Sequence, residues 1–444
     1  MGKYFGTDGF RGKANETLMV EKAFRVGRYL GYYFNQEHKG KILIGRDTRL
    51  SGSMLENALA SGVAASGCDV DVLGICPTPA IALLVRLNGY DCGVMISASH
   101  NPYYDNGIKV FSSIGMKLGS DIESLVEDYI DEMTTIPYAL EAKIGKIENH
   151  HEYLDQYLAY IKSQFDFDLS QMKIVCDLAN GSATSTAEKL LKMFGANPKI
   201  INSSPNGTNI NTKCGSTHPE ELVSVMKKGK YDIGLAFDGD ADRLIAVDEL
   251  GELVDGDKAL YVLGKYMISQ GCLKDNMIVT TVMANFGLYK LLESENINYQ
   301  KTAVGDKHVY DCMVQNDYKL GGEQSGHIIF KDLMTTGDGL LTALKLIEVM
   351  IASGKSMNTL TKPLYIYPQL LINTQVQDKH KVLNDEEIQQ LVDDIQSELG
   401  DEGRILVRPS GTEPLIRVMV EAKSDEICHQ QVYRVVDLIK KKGL

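Results

Sequence analysis

One arrangement of segments recurs three times between Lys41 and His327. Each time an apolar run of strand length leads into a helical stretch, a second apolar run follows, and a third ends in a polar loop. The three loops begin near Ser99, Asp238 and Glu323. Strands that alternate with helices predict α/β domains, and such domains bind ligands at strand ends. Because the spacing from first strand to loop varies, a repeat of fixed period is excluded.

The chain after Pro368 follows a different pattern. Its apolar and amphipathic runs predict strands at Leu370–Val376, Arg404–Val407 and Leu415–Glu421 and helices at Glu386–Leu399 and Asp425–Lys442. We therefore expect an α/β fold, with three related α/β domains with mixed sheets plus a smaller C-terminal α+β domain, around a central cleft. The predicted boundaries are 1–150, 151–252, 253–366 and 367–444. A polar junction is predicted at 134–152, and the helix of the second round at 183–194.

Charge and cysteine usage limit the function classes. The formal net charge of −13 argues against nucleic acid or an anionic membrane as the main partner. The eight cysteines form no Cys-x-x-Cys pair, which predicts free thiols in a reducing compartment. No apolar run approaches the ~20 residues of a membrane span. We expect a cytoplasmic protein in which any anionic ligand meets positive charge concentrated in a few loops.

The second loop brings three carboxylates together, since Asp238, Asp240 and Asp242 alternate with small residues at a strand end. Crowded carboxylates repel one another unless a hard divalent cation lies between them. A calcium EF-hand is excluded because Arg243 occupies the position that needs glycine and the flanking runs read as strands. The pattern favours Mg²⁺, and a solvated acidic turn is the alternative.

The first loop places Ser99 and His100 where a strand ends and an Asn-Pro turn begins. Scaffolds display reactive groups at such positions, although a plain polar turn fits the same residues. Lys109 follows on the next strand-like run and can return a cationic group toward Ser99; the alternative is a surface lysine.

Three further loops carry polar chemistry with open alternatives. The segment 408–414, with Arg417 on the next strand, suits a phosphate cradle or a simple hairpin turn. Glu323 and Ser325 in the third loop can bind the hydroxyl groups of a sugar. The alternative is that Glu323 is a carboxylate with a purely structural role. The segment 45–52 binds an anion or caps the next helix through Ser51.

The chain contains four motifs in order: Ser-Ala-Ser-His-Asn-Pro at 97–102, Asp-Gly-Asp-Ala-Asp-Arg at 238–243, Gly-Glu-Gln-Ser-Gly-His at 322–327 and Arg-Pro-Ser-Gly-Thr-Glu-Pro at 408–414. Together they closely resemble the motifs of the α-D-phosphohexomutase family. The resemblance extends from the opening Phe-Gly-Thr-Asp-Gly-Phe-Arg-Gly segment to the last domain. Within the family, the opening and the third loop are most similar to bacterial members that interconvert glucosamine 6-phosphate and glucosamine 1-phosphate.

The resemblance implies a mechanism. Ser99 is carried as a phosphoserine, one Mg²⁺ per active site is bound by Ser99, Asp238, Asp240 and Asp242, and a sugar 1,6-bisphosphate serves as intermediate and activator. The groups implied around the transferring phosphoryl group are Arg11, His100, Lys109 and Arg243, with Lys109 a candidate acid/base. The implied substrate-binding residues are Lys307, Glu323, Ser325, Arg408, Ser410, Gly411, Thr412 and Arg417. The four predicted domains then carry phosphoserine, metal, sugar and distal phosphate in turn.

The substrate implied is a phosphorylated hexosamine, and the resemblance allows a homodimer. Two departures are Ala241, where glycine is frequent, and Lys307, where arginine is common; lysine lacks the bidentate fork of arginine. Three alternatives remain open: a phosphomannomutase or phosphoglucomutase, a metal-dependent sugar phosphatase, and a non-catalytic phosphosugar sensor.

Overall fold

The computed structural model describes residues 2–6, 8–410 and 414–444, and the chain divides into two units. Unit 1 comprises residues 1–283 and 298–362, and unit 2 comprises residues 284–297 and 363–444. Within the described residues, unit 1 forms three mixed sheets and unit 2 forms one antiparallel sheet. The predicted fold class, α/β domains followed by a smaller C-terminal α+β domain, is confirmed.

The first sheet of unit 1 carries the loop that contains Ser99. Its strands are β1 (Phe5–Gly6), β2 (Gly9–Lys13), β3 (Lys41–Arg46), β4 (Asp69–Ile75), β5 (Cys92–Ile96), β6 (Asp105–Ser112) and β7 (Ile147–Asn149), in the spatial order β1-β2-β6-β5-β3-β4-β7. Its helices are α1 (Val20–Phe34), α2 (Gly52–Ala65), α3 (Thr78–Asn88), α4 (Ser120–Ile130) and α5 (Leu154–Ser163). Strands β3, β4, β5 and β7 are parallel, so the ends of β3 and β5 lie at one edge.

Helices α1 and α2 pack closely because glycines face the contact. A side chain at Gly27 would place its first carbon 2.1 Å from the Leu59 carbonyl oxygen, and one at Gly62 would lie 2.2 Å from that of Phe24. The helices bury Val26, Leu30 and neighbouring apolar residues against the sheet. This core fixes the sheet from which the Ser99 loop extends.

The second sheet carries the acidic loop. Its strands are β8 (Ile174–Asp177), β9 (Lys199–Ile201), β10 (Ile233–Phe237), β11 (Leu244–Val247) and β12 (Leu253–Val254), in the order β12-β11-β10-β8-β9, with helices α6 (Ala187–Lys192) and α7 (Glu220–Lys228). The next helix, α8 (Gly256–Ser269), packs on the third sheet, since Gly264 lies against Ile278 and Leu320. The helix predicted at 183–194 is interrupted, because Thr186 has non-helical angles between a 3₁₀ turn at Ser182–Ser185 and α6. Strand β12 lies beyond residue 252, where a domain boundary is predicted.

The third sheet carries the Glu323 loop. Its strands are β13 (Met277–Thr281), β14 (Asn298–Thr302), β15 (Leu320–Gly322) and β16 (Ile328–Phe330), in the order β14-β13-β15-β16. The helices around it in unit 1 are α10 (Asp306–Asn316), α11 (Gly339–Ser353) and α12 (Met357–Thr361). Helix α11 is buried on most of its surface, consistent with its nearly continuous apolar sequence.

Unit 2 contains α9 (Phe286–Ser294), β17 (Gln369–Gln375), α13 (Lys379–Leu383), α14 (Glu386–Leu399), β18 (Arg404–Pro409), β19 (Leu415–Glu421) and α15 (Asp425–Lys442). The sheet order is β17-β19-β18, and both pairings are antiparallel. Helix α9 belongs to this unit although its sequence lies within the predicted third domain. Ser424 caps α15, since its Oγ accepts a hydrogen bond from the Ile427 backbone N–H at 3.3 Å.

The predicted junction 134–152 contains strand β7, which pairs in parallel with Val70–Val72 of β4. One local expectation is wrong. Ser51 does not cap α2 through its side chain; its hydroxyl accepts a hydrogen bond from Asn106 Nδ2 at 2.9 Å. All eight cysteines are free thiols, most of them buried. Across the described part of the chain, we find no helix with both the length and the apolar character needed to cross a bilayer.

Candidate active site

Ser99 lies in the loop after β5 with only 1% of its surface exposed. Its hydroxyl donates a hydrogen bond to Asp238 Oδ2 at 2.6 Å and lies 3.4 Å from His100 Nδ1. Its backbone has a positive φ of 51°, which is uncommon outside glycine and asparagine. Two loops predicted from separate parts of the sequence therefore meet at this serine.

The acidic loop follows β10 and is fully enclosed. Asp238, Asp240 and Asp242 are each at most 5% exposed, and each offers a carboxylate oxygen within 4.8 Å of the others. The turn is closed by a hydrogen bond from the Ala241 backbone N–H to the Asp238 carbonyl at 3.1 Å, and Gly339 N–H donates to the Ala241 carbonyl at 3.0 Å. The exposed acidic turn considered as an alternative is thereby excluded.

Lys109 enters this cluster from β6, directly opposite Met95 of β5. Its ammonium donates to Asp240 Oδ2 at 2.7 Å and lies 3.4 Å from Asp242 Oδ2. Burial alone would lower the pKa of Lys109, but Asp240 and Asp242 raise it above its ordinary value. Thr78 at the start of α3 also donates to Asp240 Oδ2. The alternative of a surface lysine is excluded.

The carboxylates fit a divalent cation. Asp240 Oδ1 and Asp242 Oδ1 are buried and accept no hydrogen bond from any residue that the structure describes. Burial, together with the charges of Asp242 and Asp240, raises the pKa of Asp238 well above its ordinary value. Oxygen donors with unused lone pairs and excess negative charge are the environment that Mg²⁺ prefers.

Arginine and histidine surround the acidic loop. Arg243 Nε lies 3.7 Å from Asp242 Oδ1, and Arg11 pairs with Asp8 on the opening segment. Burial and the guanidinium groups of Arg243 and Arg11 lower the pKa of His100 to about 4, so its ring is neutral at pH 7. All of these predicted residues lie in unit 1 with Ser99.

His327 and Asp8 are site residues that the sequence-based assignment omits. His327 Nδ1 lies 3.7 Å from Asp242 Oδ1, and its Nε2 accepts a hydrogen bond from Gly337 N–H at 2.9 Å. Asp8 also receives a hydrogen bond from Lys117 Nζ at 3.0 Å. Both residues lie within motifs that the sequence shows, Asp8 in the opening segment and His327 at the end of Gly-Glu-Gln-Ser-Gly-His, so their positions beside other site residues are the signal for them.

The third loop turns at Gly326 between β15 and β16. Glu323 Oε1 accepts a hydrogen bond from Gly305 N–H at 3.0 Å, so one of its carboxylate oxygens has a structural partner. Ser325 is exposed at the tip, and Lys307 lies in the first turn of α10. Lys117 Nζ donates to Asp306 Oδ1 at 2.7 Å beside Lys307.

In unit 2, Arg408 of β18 lies directly opposite Arg417 of β19. Burial and the charge of Arg417 lower the pKa of Arg408. Ser410 is buried, and its carbonyl accepts a hydrogen bond from Lys379 Nζ at 2.7 Å, a cation absent from the sequence-based assignment. Gly411 and Thr412 lie outside the described residues.

Comparison with known proteins assigns all four segments to one family. The models described as phosphoglucomutase/phosphomannomutase alpha/beta/alpha domains I, II and III match residues 2–136, 152–251 and 255–366, and the C-terminal domain model matches residues 371–438. The phosphoglucosamine mutase of Lachnoclostridium phytofermentans is 50% identical over 444 residues, covering 100% of this chain and 99% of that protein. That of Lachnospira eligens is 49% identical over 447 residues, with the same coverage.

Solved structures share the fold. A phosphoglucomutase/phosphomannomutase family protein from Burkholderia thailandensis superposes with a TM-score of 0.81 at 25% identity, covering 100% of this chain and 99% of that one. Aspergillus fumigatus N-acetylphosphoglucosamine mutase, solved with GlcNAc-6P and magnesium, gives a TM-score of 0.71 at 19% identity, covering 99% and 96%. The second likeness bears on the fold alone.

Proposed function

The chain belongs to the phosphoglucomutase/phosphomannomutase family, the α-D-phosphohexomutases, and we propose that it interconverts glucosamine 6-phosphate and glucosamine 1-phosphate. The observation that carries the proposal is the hydrogen bond from Ser99 Oγ to Asp238 at the edge of a buried carboxylate cluster. The relatives that match over the full chain at about half identity support the amino sugar.

Ser99 is the proposed phosphoryl carrier. Transfer breaks the bond between Ser99 Oγ and phosphorus and forms a bond from phosphorus to the free hydroxyl oxygen of the sugar phosphate, whose proton leaves to a base. The product is a bound 1,6-bisphosphate. This intermediate reorients in the site, and its other phosphoryl group is transferred to Ser99, which releases the isomeric monophosphate.

Asp238, Asp240 and Asp242 would hold Mg²⁺ together with an oxygen of the phosphoserine. When bound, the ion neutralises negative charge on the transferring phosphoryl group. Lys109 and Arg243 both place positive charge beside Asp242, and Lys109, which Asp240 and Asp242 keep protonated, is the candidate acid/base in its proton-donating form. Arg11 and His100 complete the proposed surroundings of the phosphoryl group.

Substrate contacts are proposed for two regions. In unit 1, Glu323 and Ser325 read sugar hydroxyls, and Lys307 supports phosphate. In unit 2, a pair of guanidinium groups, Arg408 and Arg417, with Ser410 nearby in sequence, suits a second phosphate through charge-assisted hydrogen bonds. Gly411 and Thr412 complete this proposed set of phosphate-binding residues. A sugar 1,6-bisphosphate is the proposed activator.

The test is ³¹P NMR of the purified protein with Mg²⁺ and a trace of sugar 1,6-bisphosphate. Glucosamine 6-phosphate and mannose 6-phosphate are supplied in separate tubes, and Ser99→Ala protein is the control. We expect faster formation of glucosamine 1-phosphate, with none in the control. Faster turnover of mannose 6-phosphate would overturn the amino-sugar assignment. Release of inorganic phosphate in place of the 1-phosphate would identify a phosphatase.

A further inference from the structure

Arg49, in the loop after β3, is buried within unit 1 although it carries a full positive charge. The side chains of Arg49 and Asp47 are both 0% exposed. Arg49 Nε donates to Asp47 Oδ2 at 2.8 Å, and the Arg49 backbone N–H donates to Asp47 Oδ1 at 2.9 Å. A buried charge persists only where it is paired and hydrogen-bonded, so this pair has a structural or functional task.

The remaining donors of Arg49 all reach one loop. Its Nη2 donates to the carbonyl oxygens of Ser99 and Asn101, each at 2.8 Å. Its Nη1 donates to the carbonyl of Asp105 at 2.9 Å and also to that of Pro102. All five N–H donors of the guanidinium are therefore used, which leaves no part of it for the anion considered from the sequence.

The carbonyl of Ser99 receives a second donor from the second sheet region. Asn211 Nδ2 donates to the Ser99 carbonyl at 2.9 Å and to the Asn101 carbonyl at 3.3 Å. Gly239 in the acidic loop lies against the same oxygen; a side chain there would place its first carbon 2.5 Å from it. The Ser99 carbonyl is thus fixed from three directions.

Asp47 extends the same network to the amide side of Ser99. Ser97 Oγ donates to Asp47 Oδ2 at 2.6 Å and accepts a hydrogen bond from the Ser99 backbone N–H at 2.9 Å. Both peptide groups of Ser99 are consequently tied to the Arg49–Asp47 pair. These contacts offset the positive φ of Ser99, a conformation that is unfavourable for a residue other than glycine.

We propose that Arg49, anchored by Asp47 and assisted by Asn211, is the positioning residue that holds Ser99 in its left-handed conformation with the hydroxyl directed at Asp238. The inference rests on the proposed function, because it assigns Ser99 the role of phosphoryl carrier. Arg49 touches no reacting atom; it acts on the backbone of the residue that does. Misplacement of a reacting oxygen by 1 Å costs about 10²-fold in rate.

The test compares Arg49→Lys with Arg28→Lys. Arg28 is a matched control, since it is also 0% exposed and donates to four oxygens, those of Ala65, Ser66, Ile136 and Pro137. Lysine retains the charge in both variants but cannot span several carbonyls at once. Asn211→Gly is a second variant of the same network, and glycine tolerates the positive φ of 58° at that position.

Two readouts are measured on the full-length protein: hydrogen–deuterium exchange of the amides in 98–106, and kcat and KM for glucosamine 6-phosphate. We expect Arg49→Lys and Asn211→Gly to speed exchange in 98–106 and to lower kcat by about 10- to 100-fold, with KM changed less than about threefold. We expect Arg28→Lys to leave amide exchange in 98–106, kcat and KM at their wild-type values.

The proposal is overturned if kcat of Arg49→Lys stays within twofold of wild type, if KM rises with kcat unchanged, or if Arg28→Lys lowers kcat equally. Should Arg49→Lys fail to fold, Asn211→Gly decides by the same criteria. A wild-type protein without mutase activity would refute the proposed function, and the exchange comparison alone would then decide whether Arg49 fixes the loop.

Discussion

The acidic loop after β10 and the arginine pair on β18 and β19 each place like charges side by side, but in different surroundings. Asp238, Asp240 and Asp242 are buried, with the Lys109 ammonium between two of them. Arg408 and Arg417 lie opposite each other on a half-exposed sheet surface. Like charges in register across strands are destabilising, as are crowded buried carboxylates.

This difference separates two tasks. A buried cluster held by a lysine and by backbone hydrogen bonds keeps its geometry whether or not a ligand is bound, which suits chemistry. Guanidinium groups on a half-exposed surface can be reached by an anion from solvent, which suits its capture and release. The four variants below test this division, from the largest expected effect to the smallest.

Replacement of Ser99 by alanine should remove turnover and leave capture intact. We expect kcat to fall by about 10⁴-fold or more, since the carrier oxygen is gone. The dissociation constant for glucosamine 6-phosphate, measured by isothermal titration calorimetry, should change less than threefold. Residual activity above one per cent would show that the phosphoryl group is carried elsewhere.

Replacement of Asp240 by asparagine tests whether the buried cluster binds the cation. The variant loses one ligand charge and weakens the contact with Lys109, so we expect the Mg²⁺ concentration for half-maximal activity to rise and kcat to fall by about 10²-fold. A Mg²⁺ titration of activity provides the measurement, and Asp71→Asn serves as a control for loss of a buried carboxylate in the first sheet. An unchanged Mg²⁺ response in Asp240→Asn would place the metal at other residues.

The elements that could be predicted from the sequence are those with local signals. Strand Leu415–Glu421 and helix Glu386–Leu399 have the predicted bounds, because apolar patterning and a following Gly400 mark them. Helix 183–194 was predicted too long because Thr186 leaves the helical region where the preceding segment packs on the acidic loop. That constraint is tertiary.

The residues of the site likewise fall into those with a local sequence signal and those that only the tertiary structure reveals. Ser99 and the aspartates stand in motifs whose chemistry is visible in the sequence, and the structure brings them together. The task of Arg49 was not visible, because four of its acceptors are backbone carbonyls and a carbonyl has no sequence signature. Asn211 acts from a loop of the second sheet region, more than one hundred residues after Ser99. Only the tertiary fold relates such residues.

Replacement of Arg408 by glutamine tests the arginine pair. We expect KM for glucosamine 6-phosphate to rise about 10-fold, because one charge-assisted contact to phosphate is lost, with kcat changed less than threefold. Removal of one of two facing cations should leave the melting temperature equal or slightly higher. Arg434→Gln, which removes a guanidinium paired with Glu398 in the same unit, is the control. A kcat loss without a KM change would contradict a role confined to capture.

The smallest effect concerns Asp338, which caps α11 and directly precedes Gly339, whose N–H donates to the Ala241 carbonyl of the acidic loop. Burial raises its pKa to about 6, although hydrogen bonds from Leu341 N–H and Tyr157 oppose the shift, and the charge of Asp242 adds to it. A carboxyl whose folded pKa exceeds its ordinary 3.8 binds a proton in the native state that the unfolded chain does not bind. Its ionised form therefore costs stability above pH 6, and that cost is relieved as pH falls from 7 toward 4. At 1.36 kcal/mol per pKa unit, the largest possible change in the free energy of unfolding is about 3 kcal/mol.

The variant Asp338→Asn keeps the helix cap and removes the titrating carboxyl group. In urea unfolding at pH 7, 6 and 5, its free energy of unfolding should therefore increase less on acidification than that of the wild type. Other titrating groups act alike in both proteins, so identical pH slopes would mean that burial does not raise the pKa of Asp338 above its ordinary value.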